Sequence, residues 1–159
     1  SAMTRAQVAA VKDVWPSYCL DPLALSENRE KVTTEVLGWI DDQDDHLPFL
    51  VYSSADPAEV AEIQEQLGRD EAGLLVEEAM GVIARGLMQR DVGRLVVAGG
   101  ETSGAVVKSL GVDGLHIGKE IDPGVPWCQT IGSVRLSLAL KSGNFGGEDF
   151  FSKALEVLG

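Results

Sequence analysis

Two glycine-bearing segments hold the residues best suited to chemistry. The first, Leu95-Val96-Val97-Ala98-Gly99-Gly100-Glu101-Thr102-Ser103-Gly104-Ala105, passes from an apolar run into paired glycines and then hydroxyl side chains. Glycine lets a backbone approach a ligand closely and adopt positive φ. Free amides at the start of a following helix, with its dipole behind them, favour phosphate oxygens. Thr102 and Ser103 add hydroxyl donors. Glu101 is the odd member, because a carboxylate there repels a phosphate. It fits a metal ion, a ribose hydroxyl or a plain helix cap.

The second segment, Leu138-Ala139-Leu140-Lys141-Ser142-Gly143-Asn144-Phe145-Gly146-Gly147-Glu148-Asp149-Phe150, repeats the plan of strand, glycine-rich loop and helix. Asn144 suits a left-handed turn or the polar edge of a ligand, and Lys141 and Ser142 can approach phosphates. Glu148 and Asp149 are favourable first-turn acids. Neither segment is a Walker A loop or a Gly-x-Gly-x-x-Gly fingerprint. One such junction alone is more commonly a tight turn than a site. Two of them at strand C-termini occupy the edge of an α/β sheet where ligands bind.

The elements that must position these loops alternate along the chain. Residues 4–15 read as a helix with Thr4 as N-cap and Val8, Val11 and Trp15 on one face, stopped by Pro16. Residues 17–20 form a strand candidate, Asp21-Pro22 a turn, and a second helix starts near Ser26 with Val32, Val36, Leu37 and Ile40 as its buried stripe. Its end, Asp41-Asp42-Gln43-Asp44-Asp45, reads as a solvated acidic loop. Phe49-Leu50-Val51-Tyr52 is apolar throughout, as expected of a strand covered on both faces. Asp56-Pro57 caps a helix to about Leu67, and a longer helix runs on towards Gly93. Leu95-Val96-Val97-Ala98 is a strand, 102–110 a helix ended by Gly111, and 115–117 and 134–140 further strands about a rigid turn at 122–126. Residues 148–158 form a last helix, with Leu158 on its apolar face. The pattern is that of one α/β domain, a layered sheet of largely parallel strands with helices on both faces.

Composition narrows the function classes. The chain has 159 residues, 45% hydrophobic and 24% charged, with a formal net charge of −12. That balance opposes binding driven by a nucleic-acid backbone or an anionic membrane surface, both of which need a cationic face. It leaves room for a small anion, because local dipoles or a metal can reverse the sign inside one pocket. No apolar run approaches the roughly 18 residues of a membrane span, and the setting expected is reducing and cytoplasmic. Cys19 and Cys128 show no metal or disulfide pattern. His46 and His116 have no evident catalytic partner. Ser53-Ser54 reads as capping the helix after Asp56, and Trp15, Trp39 and Trp127 read as core.

The segments LVVAGGETSGAVV (95–107) and LALKSGNFGGEDFF (138–151), in this order, resemble the C-terminal nucleotide-binding domain of the four-carbon acid sugar kinases, formerly often labelled Hrp-dependent type III effectors. Gly118-Lys119-Glu120-Ile121-Asp122-Pro123-Gly124-Val125-Pro126-Trp127 and Leu50-Val51-Tyr52-Ser53-Ser54 are also similar, so the resemblance covers nearly the whole chain. It implies an ATP-dependent, Mg²⁺-assisted kinase that phosphorylates the 4-hydroxyl of 3-oxo-tetronate, threonate or erythronate. ATP would lie against Gly99, Gly100, Glu101, Thr102, Ser103 and Gly104 on one side and Ser142, Gly143 and Asn144 on the other. Family members open the domain with a Gly-Ser-x-Ser-x-x-Thr turn, and Ser1-Ala2-Met3-Thr4 matches its end. Ser1 is then either a nucleotide contact or a remnant of cloning. Full-length members carry an N-terminal domain that binds the sugar acid. The expectation is therefore that residues 1–159 are the nucleotide-binding half alone, without sugar-acid turnover, with a homodimer as an open option. Two other classes stand beside this one: a non-catalytic module that senses a nucleotide or anion, and a secreted interaction protein.

Overall fold

In a computed structural model, residues 1–53, 57–90 and 92–157 are described. Helix α1 (Ala2–Val11) starts at Ser1, whose Oγ accepts from Thr4 N–H at 3.1 Å. The cap thus sits three residues before the expected Thr4. Strand β1 (Ser17–Leu20) leads to α2 (Pro22–Asp41), where Asp21 caps Leu23 N–H and Pro22 occupies the first turn. The helix breaks at Asn28 (φ −157°, ψ 87°), and Asn28 Oδ1 accepts from Lys31 N–H at 2.9 Å. That internal restart lies close to the helix start read at Ser26.

Strand β2 (Leu50–Ser53), α3 (Pro57–Leu67) and α4 (Arg69–Met88) follow. Next come β3 (Arg94–Ala98), α5 (Gly100–Leu110), β4 (Gly114–Asp122), β5 (Val125–Ile131), β6 (Ser137–Lys141) and α6 (Phe150–Val157). Ser54, Asp56 and Leu158 lie outside the described residues, so the cap assigned to Asp56 and the packing assigned to Leu158 are not tested.

The strands form two sheets. β1 and β2 pair in parallel, and the second sheet has the order β3-β6-β5-β4. Within it β3 and β6 are parallel, while β6–β5 and β5–β4 are antiparallel. The α/β layering therefore holds, with an antiparallel hairpin appended to the parallel pair. The rigid turn read at 122–126 shrinks to Pro123-Gly124, where Gly124 takes φ +80°, and Val125 and Pro126 already belong to β5. A proline normally argues against an inner strand. Pro126 is tolerated opposite Glu120, where the β4–β5 register shifts and the ladder is already interrupted.

Side chains alternate across both sheets. Val96, Ala98, Ala139 and Leu50 pack with α1 and α6, around Val11, Trp127, Phe150 and Phe151. Leu95, Val97, Leu138 and Leu140 pack on the other face, against Ala84 of α4 and Val106 and Leu110 of α5. Val51 and Leu20 join α2 and α4 around Val36, Ala79 and Ile83. Helices thus cover both faces. Among the described residues β2 and β3 do not pair with each other, and a cavity of about 800 Å³ is lined by Val51 and Val96 from these strands together with Met80, Phe151, Ser1, Thr4 and Thr102.

Candidate functional site

The two glycine loops leave the sheet side by side. Ala98 and Lys141 are register partners at the ends of parallel β3 and β6, and Gly99 N–H donates to Lys141 O at 2.8 Å. Gly99 takes φ +119° and ψ 131°, a conformation that a Cβ makes costly, and so turns the strand directly into α5. No side chain caps α5, which leaves its first amides available at the sheet edge. Gly100, Glu101 and Gly104 are exposed. Thr102 is half-buried and reaches the same cavity as Ser1 and Thr4. Ser103 is turned inward, and its Oγ is buried without a hydrogen-bond partner among the described residues.

The second loop begins with a β-turn, closed by Phe145 N–H to Ser142 O at 3.1 Å. Gly143 O is the focus of three donors: Ser1 Oγ at 2.6 Å, Thr4 Oγ1 at 3.0 Å and Lys141 Nζ at 2.8 Å. Lys141 Nζ also donates to Ser142 O at 3.1 Å and Thr4 Oγ1 at 3.3 Å. The lysine is fully buried, and burial pulls its pKa below the usual lysine value. The ion pairs formed among the described residues do not include it. Instead of approaching a ligand directly, as read from its place in the sequence, Lys141 turns back under the loop.

Further supports were invisible in the sequence. Gln7, fully buried on α1, donates from Nε2 to Phe145 O at 3.1 Å and Gly147 O at 2.8 Å. Asp122, at the end of β4, accepts from Gly147 N–H at 3.1 Å and pairs with Lys153 of α6. The Lys153 hydrogen bond, with help from that amide, holds the Asp122 carboxyl below the usual range. The one signal for Gln7 was a polar residue at i−4 from the apolar Val11.

The structure therefore gathers Ser1, Gly99 and the Ser142-Gly143-Asn144 turn at one edge, with the start of α5 beside them. His46 and His116 are exposed and lie on other elements. Trp39 packs edge-on with Tyr18 and Phe49, and Trp127 is buried in the core, in line with their sequence reading. Among the described residues no three His, Cys, Asp or Glu side chains cluster to hold a metal. Burial, with the charge of Glu101 adding to it, raises the pKa of Glu77. Glu101, exposed in the first turn of α5, is the carboxylate at this edge that would meet a Mg²⁺ ion whose other ligands are phosphates and water.

An α/β domain with paired glycine loops at one sheet edge is a nucleotide-binding architecture, and the sequence profile agrees. Residues 1–151 match the family described as nucleotide-binding C-terminal domain, and the chain belongs to that family. It is 52% identical over 163 residues to a 3-oxo-tetronate kinase of Pseudomonas fluorescens, and 51% identical over 160 residues to one of Burkholderia multivorans. Each comparison covers 99% of this chain and 36% of the relative. A solved Haemophilus influenzae structure superposes with a TM-score of 0.90 at 39% identity, covering 98% of this chain and 38% of that one. The chain thus spans just over a third of the length of these relatives, and the resemblance drawn from the two loops is confirmed.

Proposed function

We propose that this chain is the ATP-binding domain of a kinase that phosphorylates a four-carbon sugar acid at its 4-hydroxyl, with 3-oxo-tetronate as the first substrate to test. One observation carries the reading: the register Ala98↔Lys141 sets two strand–glycine loops next to each other at one sheet edge. Phosphoryl transfer is mostly a matter of positioning and charge stabilisation. The amides at the start of α5 and the hydroxyl of Thr102 receive phosphate oxygens on one side. Ser1, Ser142, Gly143 and Asn144 line the other. Mg²⁺, held chiefly by the phosphates, would be met by Glu101 and would offset charge at the transferring group. The sugar-acid hydroxyl and any base acting on it come from the part of the protein that the relatives carry beyond this domain.

Calorimetric titration of the chain with ATP–Mg²⁺, beside a Gly100→Trp variant, tests the proposal. A Cβ at Gly100 meets nothing within 4 Å, so the indole fills the loop's outer side without disturbing the core. The expected result is binding in the parent and its loss, by tenfold or more, in a variant of unchanged melting temperature. Equal binding by both would remove the nucleotide from the first loop. Absence of binding in both this chain and the full-length protein would end the kinase reading.

A further inference from the structure

Several buried polar groups surround the second loop, and Lys141 is the one whose geometry bears on a ligand. Its ammonium has three hydrogens and three acceptors, Thr4 Oγ1, Ser142 O and Gly143 O, all neutral. Two of these are successive main-chain carbonyls, drawn inward by one buried cation. A trans peptide is planar, with its C=O and N–H on opposite sides. Pulling Ser142 O and Gly143 O inward therefore turns the next two amides, those of Gly143 and Asn144, outward. Among the described residues neither amide finds an acceptor, whereas Gly147 N–H further along the loop is taken by Asp122. Successive outward amides form a concave anion-binding nest.

We propose that the N–H groups of Gly143 and Asn144 form a phosphate-binding nest, and that Lys141 is the positioning residue that holds it open from beneath. The nest takes a tetrahedral oxyanion of the polyphosphate class. The ammonium adds the positive potential of a charge that no carboxylate among the described residues neutralises. Ser1 and Thr4 fasten the same carbonyl from α1, so the start of that helix and the loop form one unit. The inference rests on the nucleotide reading for its ligand, and it adds which groups of this loop act and how they are held.

The test uses inorganic tripolyphosphate with the ¹⁵N-labelled chain. The amide resonances of Gly143 and Asn144 are expected to shift on titration while Gly147, already bonded, stays in place. In Lys141→Met, which keeps the length and removes the charge, affinity for tripolyphosphate should fall at least tenfold. Shifts confined to residues 100–102 would overturn the nest and leave the nucleotide reading intact. Unchanged affinity in a folded Lys141→Met chain would overturn the positioning role. If that variant does not fold, the shift pattern of the parent still decides for or against the nest. If the parent binds ATP–Mg²⁺ but not tripolyphosphate, the ligand class is wrong; if it binds neither, the nest is overturned, and the functional reading fails as well only if the full-length protein also binds no ATP–Mg²⁺.

Discussion

Asp122 shows how one carboxylate can hold three elements. It ends β4, takes the Gly147 amide of the second loop on one oxygen and pairs with Lys153 of α6 on the other. The Lys153 hydrogen bond lowers its pKa, so the folded state binds this proton less readily than the unfolded chain. The stabilisation is present above the unfolded value, near 4. It is lost as pH falls through the lower folded value. Lys153 shifts the opposite way, and its share is lost only as pH rises through its raised folded value. Urea titrations at descending pH should show the parent losing stability more steeply than Asp122→Asn below about pH 4. Parallel acid limbs would mean that the carboxylate contributes nothing.

At the scale of elements, α6 is tied to the sheet by both packing and a directed bond. Trp127 of β5 is 2% exposed, and its indole N–H donates to Ala154 O at 2.8 Å. Trp127→Phe keeps most of the apolar contact and removes that hydrogen bond from a buried site, for a cost of about 2 kcal/mol. A shift of the denaturant midpoint to match, with an unchanged m-value, would check it. The same strand marks where sequence reading stopped. The junctions at Gly99 and Ser142 were legible because a short apolar run followed by glycine and hydroxyl residues allows few other structures. β5 was not legible, because Pro126 and the polar Gln129 and Thr130 disguise the strand, and a register shift in β4 accommodates the proline. At the site, the glycines and hydroxyls stood out by type. The inward turn of Lys141, the buried Gln7 and the Asp122–Gly147 bond depend on contacts 25 to 140 residues apart, which no local pattern encodes.

The whole molecule carries a net charge of −12, and few close ion pairs form among the described residues. Arg90 with Asp41 is a well-formed one, with bonds of 2.6 and 2.8 Å. Self-repulsion of that size works against the compact state, and salt screens it over about 10 Å at 0.1 M. The melting temperature should therefore rise as sodium chloride is raised from about 10 mM to 0.5 M. A flat or falling curve would show that the acids are already compensated locally.

That β2 and β3 belong to different sheets has a consequence for how the fold comes apart. With no ladder between the sheets among the described residues, side-chain packing couples them: Ala79 and Ile83 of α4 pack toward β1 and β2 while Ala84 packs toward β3 and β6, and Leu50 joins Val96 and Ala98 beside α1 and α6. One helix spanning two sheets is a hinge of cooperativity. Each side should then be able to lose its hydrogen bonds while the other persists, and scanning calorimetry should show two linked meltings, with a calorimetric enthalpy above the van't Hoff value; equal enthalpies would show one cooperative unit.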